Sequence, residues 1–435
     1  MSAQTTTIEH GDQTAGLLAN WRAHLPSAPA VRVLIVRTLG VAALLGFEIT
    51  LSRRLGVTGY GTFSFVVAIA TVISRLAPLG WLNASTRLVS GYLIEGRLDL
   101  LKGSLIMSHL VTGLGLTATM LATAVVSIGF NMSSSKEMVW LALPLATVLT
   151  LLELHRFVLR GLQAGDLGEL FPVLLLPATV ALAVIACRID APGPALHTYS
   201  AAGLCLVVVS SVCIWRHLPP AIAKTASAFR RRAWSMLALA ILIGSVSDEI
   251  VARAAVVALG SLGSERDLGL YKAAARLSLM NLFVLRAITP VAGPRISILY
   301  HAGRLAELRT VYGRFCLLSL MGCLPFFFCF AFFPEFALGW FGSEFVHGAQ
   351  VLRLLSLSYL VSAAAGPCAT ALMMIGKEKV YSAVAVLNVA FVIIASLILV
   401  PLVGATGAAV ATGVGIIGAN LIYLAILLQA LRGSK

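Results

Sequence analysis

Apolar and polar positions in this chain come in long blocks and do not alternate. Apolar runs of about 20 residues, the length that carries a helix across a bilayer core, recur from residue 31 to residue 430 with short polar connections between them. Twelve runs fit: 31–51, 60–82, 103–129, 137–159, 168–188, 194–216, 233–259, 268–294, 311–333, 350–375, 380–401 and 405–430. The short alternating segments of a membrane β-barrel are absent. The pattern predicts an all-α polytopic membrane protein with 12 transmembrane helices. Residues 1–30 are polar and hold no apolar core of the kind a cleavable signal peptide needs, so they are expected to form a tail ahead of an uncleaved first span.

Composition agrees with the blocks. Of 435 residues 59% are hydrophobic and 11% charged, with a mean hydropathy of +0.94. A soluble domain is about a quarter charged, so this chain cannot coat a water-facing surface. Its net charge of +14 raises nucleic acid as a partner, but no basic patch interleaved with aromatics lies outside the spans. Topology accounts for the charge instead. Nineteen Lys and Arg fall on the side of the N-terminal tail, the even-numbered connections and the C-terminus, and five on the opposite side. The positive-inside rule therefore places both termini in the cytoplasm. The seven cysteines lie in or beside apolar runs without a CxxC pair and read as small hydrophobes. Neither a metal site nor a cofactor is expected.

Eight basic residues remain inside spans: Arg37, Arg75, Arg253, Lys272, Arg276, Arg286, Arg314 and Arg353. The clear intramembrane acids are Glu48, Glu153, Asp248 and Glu249. A cation facing lipid at a span's centre costs about 2.5–3.5 kcal/mol on insertion scales, so these groups must face protein or water. Arg37, Arg314 and Arg353 lie near span ends, where snorkelling to an interface is open to them. Span eight, "GLYKAAARLSLMNLFVLRAITP", concentrates the problem. On a continuous α-helix Lys272, Arg276 and Arg286 share an arc of about 80°. Two readings stand: a cationic stripe facing a wet cleft, or cations paired with acids such as Asp248 or Glu249 on the neighbouring span. Glu249 and Arg253 are i, i+4 neighbours in the pairing orientation. Arg37 and Glu48 share a face of span one, about 16 Å apart along its axis. Glu153, Arg156 and Arg160 read as a structural ion-pair cluster.

The chain also repeats itself. Residues 59–101 parallel 268–308, with Gly61 matching Gly269, Arg87 matching Arg295, and Gly96-Arg97 matching Gly303-Arg304. Residues 162–184 parallel 373–395, with Gly165 matching Gly376. Two six-span halves related by an axis along the membrane normal follow: residues 31–217 and 233–435. They are joined at 218–232, where Pro219 and Pro220 end span six and a short interfacial helix is expected.

"RRLGVTGYGTFSF", "LGLYKAAARL", "GSEFVHGAQVLRLLSLSYL" and "IGKEKVYSAVAVLNVAFVIIASLILVPLVGATGAAVAT" make the chain resemble bacterial polysaccharide-biosynthesis transporters. These are the lipid-linked oligosaccharide (O-antigen type) flippases of the multidrug/oligosaccharidyl-lipid/polysaccharide (MOP) exporter superfamily. The resemblance spans nearly the whole chain. It implies two pseudo-symmetric six-helix lobes forming a V, with spans one, two, seven and eight lining the cleft, in the bacterial inner membrane. It implies transport of a polyprenyl-diphosphate-linked oligosaccharide for O-antigen, exopolysaccharide or capsule synthesis. The partners would be that substrate, membrane lipids, a polysaccharide polymerase and a chain-length regulator.

The candidate substrate-binding residues are then Arg37, Arg75, Arg253, Lys272, Arg276 and Arg286, and the candidate ion-coupling carboxylates are Glu48, Asp248 and Glu249, with H+ or Na+ as coupling ion. No GxxxxGK[ST] or HExxH occurs, so ATP drive and zinc-protease chemistry are not expected. Within the superfamily the alternatives are a lipid II flippase and a drug/cation antiporter. From another class the alternative is a non-transporting component or an enzyme of a glycan-assembly complex.

Overall fold

The computed structural model describes residues 28–129 and 136–432; the side chains of a few helical residues, 243–252 among them, lie outside the description. The described residues form helices, turns and short connections, with no strand. Nine of these helices are long and apolar enough to cross a membrane. Two of them, Ile35–Leu76 and Glu378–Leu431, each contain two crossings folded about a glycine, and Arg231–Leu262 is a further crossing, span seven. The twelve spans of the sequence are thus accounted for. The folding glycines are Gly56 (φ 67°) between spans one and two and Gly404 (φ 56°) between spans eleven and twelve. A side chain disfavours this backbone conformation, and a Cβ on Gly404 would also lie 2.8 Å from the Asp267 carboxylate.

Spans two and eight are longer than their apolar runs. The first bent helix stops at Leu76, just before Ala77-Pro78, as a proline two residues on requires. Left-handed Leu79 and Gly80 turn the chain, and Trp81–Ile94 continues span two. Span eight runs from Glu265 to Ser278, tightens into a 3₁₀ turn at Leu279–Leu282, and continues as Phe283–His301. Its first turn is capped by Ser264, whose Oγ accepts from the Asp267 amide at 3.0 Å.

The repeat is visible in the backbone. Spans two and eight both end on a left-handed glycine, Gly96 (φ 68°) and Gly303 (φ 70°). The amides of Arg97 and Arg304 then donate back to Tyr92 and Leu299, both at 3.0 Å. The second match needs correcting. Gly376 (φ 78°) is equivalent to Gln163 (φ 63°), because Lys377 donates to Leu372 as Ala164 donates to Leu159, both at 2.9 Å. Gly165 starts the next helix instead. The left-handed position is glycine in one half and glutamine in the other, so matching glycines slips the register by two.

The connection at 218–232 also differs from expectation. Only a 3₁₀ turn forms there, at Pro220–Ala223. The backbone beyond it is held by the start of span three: Lys102 Nζ donates to the carbonyls of Ala223 and Thr225 at 3.2 and 2.9 Å, and the Ala228 amide donates to Asp99 O at 3.0 Å. Buried Trp234, at the start of span seven, donates to Tyr92 Oη at 2.8 Å.

The face on which residue 28 and this connection lie is called the tail face below, and its opposite the far face. Buried apolar side chains fall into two separate clusters. The larger runs through spans one to seven and continues into the far half of spans eight to twelve, through Leu268–Leu277, Phe330–Leu355 and Val400–Ala409. The smaller fills only the tail half of the second lobe, from Ala292 and Tyr312 to Leu427. The start of span seven packs on spans two and three through Trp234; otherwise the two lobes share a core towards the far face and part towards the tail face, which leaves a cleft open on the tail side.

Candidate functional site

Glycines set the closed far end. Gly61 and Gly269 let spans two and eight touch backbone to backbone: a Cβ on Gly61 would lie 1.9 Å from Glu265 O, and one on Gly269 2.1 Å from Val57 O. Around them the connection between spans nine and ten clasps the turn between spans one and two. Ser52 Oγ donates to Phe341 O at 2.9 Å, Arg53 Nε to Trp340 O at 2.8 Å, and the Val57 amide to Glu344 Oε2 at 3.3 Å. That amide is freed from the helix by the Gly56 turn, so the second lobe supplies the acceptor that the bend left missing. Buried Tyr60 packs its ring edge-on against Phe341 and Phe345, with centroids 6.5 and 5.8 Å away.

Directly below this seam is a charged group that crosses it. Glu48 of span one is buried and accepts from Tyr60 Oη at 3.0 Å. Arg276 of span eight places Nε 3.7 Å from the same Glu48 oxygen, with 19% of its side chain exposed. That distance is an ion pair without a hydrogen bond. Among the described residues Arg276 has no hydrogen-bond acceptor. Tyr199 of span six, stacked on Phe63, lies within electrostatic reach of both Glu48 and Arg253. Arg253 and Lys272 are half-buried, and each makes polar contacts of its own. Asp248 and Glu249 lie on the same helix as Arg253, with side chains outside the described residues.

Arg286 stands on the tail side of the 3₁₀ turn in span eight. It is exposed, lies within electrostatic reach of Tyr359, and has no ion pair among the described residues. A continuous α-helix would set it about 80° behind Arg276. Four residues at the 3₁₀ pitch add about 80° of rotation, which brings positions 276 and 286 nearly onto one face of the span, about 17 Å apart along the axis. The segment carrying Arg286 packs on spans nine and ten, whereas the segment carrying Arg276 packs on spans one and two of the first lobe as well as on span ten.

Arg37 and Arg75 sit elsewhere, in a network at the tail half of the first lobe. Glu169 of span five, its side chain 1% exposed, accepts from Arg37 at 3.0 Å, from Arg156 at 2.8 Å, and from Arg160. Glu153 accepts from Arg75 and Arg156, both at 3.1 Å, and Arg32 pairs with Asp166 at 3.1 Å. A π-helical turn, Leu170–Leu175, follows Glu169. Gly40 of span one presses against that turn, where a Cβ would lie 2.9 Å from Val173 O. Close approach of spans one and five is what brings Arg37 to Glu169. Sequence reasoning missed Glu169. The available signal was an acid in the first turn of an apolar span, where a carboxylate is favoured by the helix end but needs a partner when buried.

No protein-family model matches the sequence, and no curated protein matches it. Solved structures do. An inward-facing multidrug resistance MATE family transporter of the MOP superfamily matches with a TM-score of 0.73 at 16% identity, over 93% of this chain and 99% of its own. An outward-facing structure of a transporter described in the same terms matches with a TM-score of 0.62 at 16% identity, over 93% and 96%. A MOP superfamily transporter from Pyrococcus furiosus, described as having a binding pocket of reverse polarity that suggests a different function, matches with 0.58 at 16% identity, over 92% and 95%. The higher likeness to the inward-facing structure agrees with a cleft open at one face and a seam closed at the other. The chain has the fold of the MATE transporters of the MOP superfamily.

Proposed function

We propose that this chain is a membrane transporter working by alternating access, and that its cargo is an anionic amphipath, a polyprenyl-diphosphate-linked oligosaccharide. The observation that carries the reading is the state of the span-eight arginines. Arg276 and Arg286 lie inside one span, the first with no hydrogen-bond acceptor and the second with no ion pair among the described residues. A guanidinium is suited to phosphate oxygens, which it can meet with paired charge-assisted hydrogen bonds. A diphosphate in the cleft would supply the missing acceptors, the sugars would occupy the wet space between the lobes, and the polyprenyl tail would stay in lipid. Arg253 and Lys272 would add to the positive field, whereas Arg37 and Arg75 are engaged by Glu169 and Glu153. The tail face would be cytoplasmic in a bacterial inner membrane, and an ion gradient or the membrane potential would drive the cycle.

A cation or drug antiporter of this fold would need a carboxylate available to its cargo. Among the described residues the intramembrane carboxylates Glu48, Glu153 and Glu169 each already face arginine, which favours the anionic cargo over a cationic one. In cells, Arg276→Gln with Arg286→Gln should leave normal amounts of protein in the membrane and stop export of the glycan. Retained export by the double variant would overturn the reading.

A further inference from the structure

Glu48 occupies the place that an anionic cargo would take on Arg276. Its oxygen is 3.7 Å from Arg276 Nε across the lobe boundary and 3.0 Å from Tyr60 Oη within its own lobe. We propose that Glu48 is a built-in stand-in for the anionic group of the cargo, holding Arg276 while the cleft is empty and giving it up when a phosphate arrives. The inference rests on the anionic-cargo reading above.

Three features make the exchange feasible. The cross-lobe contact is charge alone, without a hydrogen bond, so a ligand that offers true hydrogen bonds to the guanidinium gains on it. The released carboxylate keeps its Tyr60 hydrogen bond, so a buried anion is not left wholly unsatisfied. Arg276 retains partial exposure, 19% of its side chain, so it is not sealed in the core.

The exchange has a mechanical consequence. Glu48–Arg276 is an attraction between spans one and eight immediately below the far-face seam. Tyr60, which holds Glu48, is also packed on Phe341 and Phe345 of the second lobe. Cargo that takes Arg276 away removes one attraction between the lobes at that level and leaves the seam held by Ser52–Phe341, Arg53–Trp340 and Val57–Glu344. An empty cleft thus keeps its far end shut, and a loaded one loosens it.

The test uses the purified full chain in detergent and farnesyl diphosphate as probe. Competition requires that Glu48→Gln bind the probe at least tenfold more tightly than wild type, that Glu48→Asp stay near wild type, and that Arg276→Gln lose at least tenfold. A residue serving only to hold the fold would not tighten binding when neutralised. If Arg276→Gln weakens binding while Glu48→Gln leaves it unchanged, the stand-in is wrong and the anionic-cargo reading survives. If Arg276→Gln binds as wild type does, both fall. Should Glu48→Gln fail to fold, the protein with native Glu48 and Arg276 still decides. Spin labels at Arg54→Cys and Ser343→Cys, on either side of the seam, should report a longer or broader distance when the probe is added, and an unchanged distribution under saturating probe overturns the proposal.

Discussion

Adding a single methyl group at Gly61 should push the far end of the molecule open. The Gly61→Ala Cβ would sit 1.9 Å from Glu265 O, whereas ordinary contact begins near 3.4 Å. Spans two and eight must therefore separate by about 1.5 Å at a point where both neighbours are backbone and cannot rotate away. Overpacking of this kind costs about 1–3 kcal/mol. The penalty falls on the state in which the two spans touch and is relieved when they part, so it acts on the equilibrium between states. A bias of that size shifts the ratio of far-closed to far-open molecules by about 5- to 150-fold. Gly269→Ala, with its Cβ 2.1 Å from Val57 O, should act in the same direction. Gly46→Ala, in the same bent helix, meets nothing within 4 Å and serves as the control. Distances between spin labels at positions 54 and 343, in a background without the seven native cysteines, give the readout. If folded Gly61→Ala protein shows the wild-type distance distribution, the seam does not depend on the contact described and the reasoning fails.

Other consequences follow from single contacts. Glu169→Gln removes the charge that Arg37, Arg156 and Arg160 share; losing one partner of a buried pair costs about 3–5 kcal/mol, so membrane abundance should fall, with partial recovery when Arg160→Gln is added. Trp234→Ala loses a buried indole and its Tyr92 hydrogen bond and should cost about 3–5 kcal/mol, seen as lower thermal stability of the purified protein. In sealed cells a membrane-impermeant reagent should not label Lys224→Cys and should label Arg54→Cys; the opposite pattern would invert the topology.

How much of this could be read in the sequence depends on range. Span number and class were legible because the cost of exposing polar backbone to lipid imposes a long apolar run on each crossing. The bends at Gly56 and Gly404 and the cap at Ser264 are local and fall at the span boundaries read from the sequence, which did not single them out. Pairings between spans were not legible. Arg37 finds Glu169 across 132 residues of chain because Gly40 admits the π-turn of span five, and no spacing rule encodes that approach. The 3₁₀ turn at Leu279–Leu282 has no proline or glycine to announce it, yet it decides how Arg286 is aimed relative to Arg276. Gln163 hid its left-handed backbone behind an ordinary side chain. Glu48 and Arg276 were both legible as isolated intramembrane charges, but their meeting depends on how the lobes close.

The central claim is that the cleft carries an anionic lipid-linked sugar on the span-eight arginines. Its most direct test is flipping of a short-chain polyprenyl-diphosphate oligosaccharide in proteoliposomes, followed by accessibility of the sugar to an external lectin. The wild-type chain should move the lipid to the accessible leaflet, and Arg276→Gln/Arg286→Gln, reconstituted in equal amount, should leave it at the protein-free level. Equal flipping by both proteins, or failure of the wild type to move the lipid while it transports an organic cation, would contradict the account.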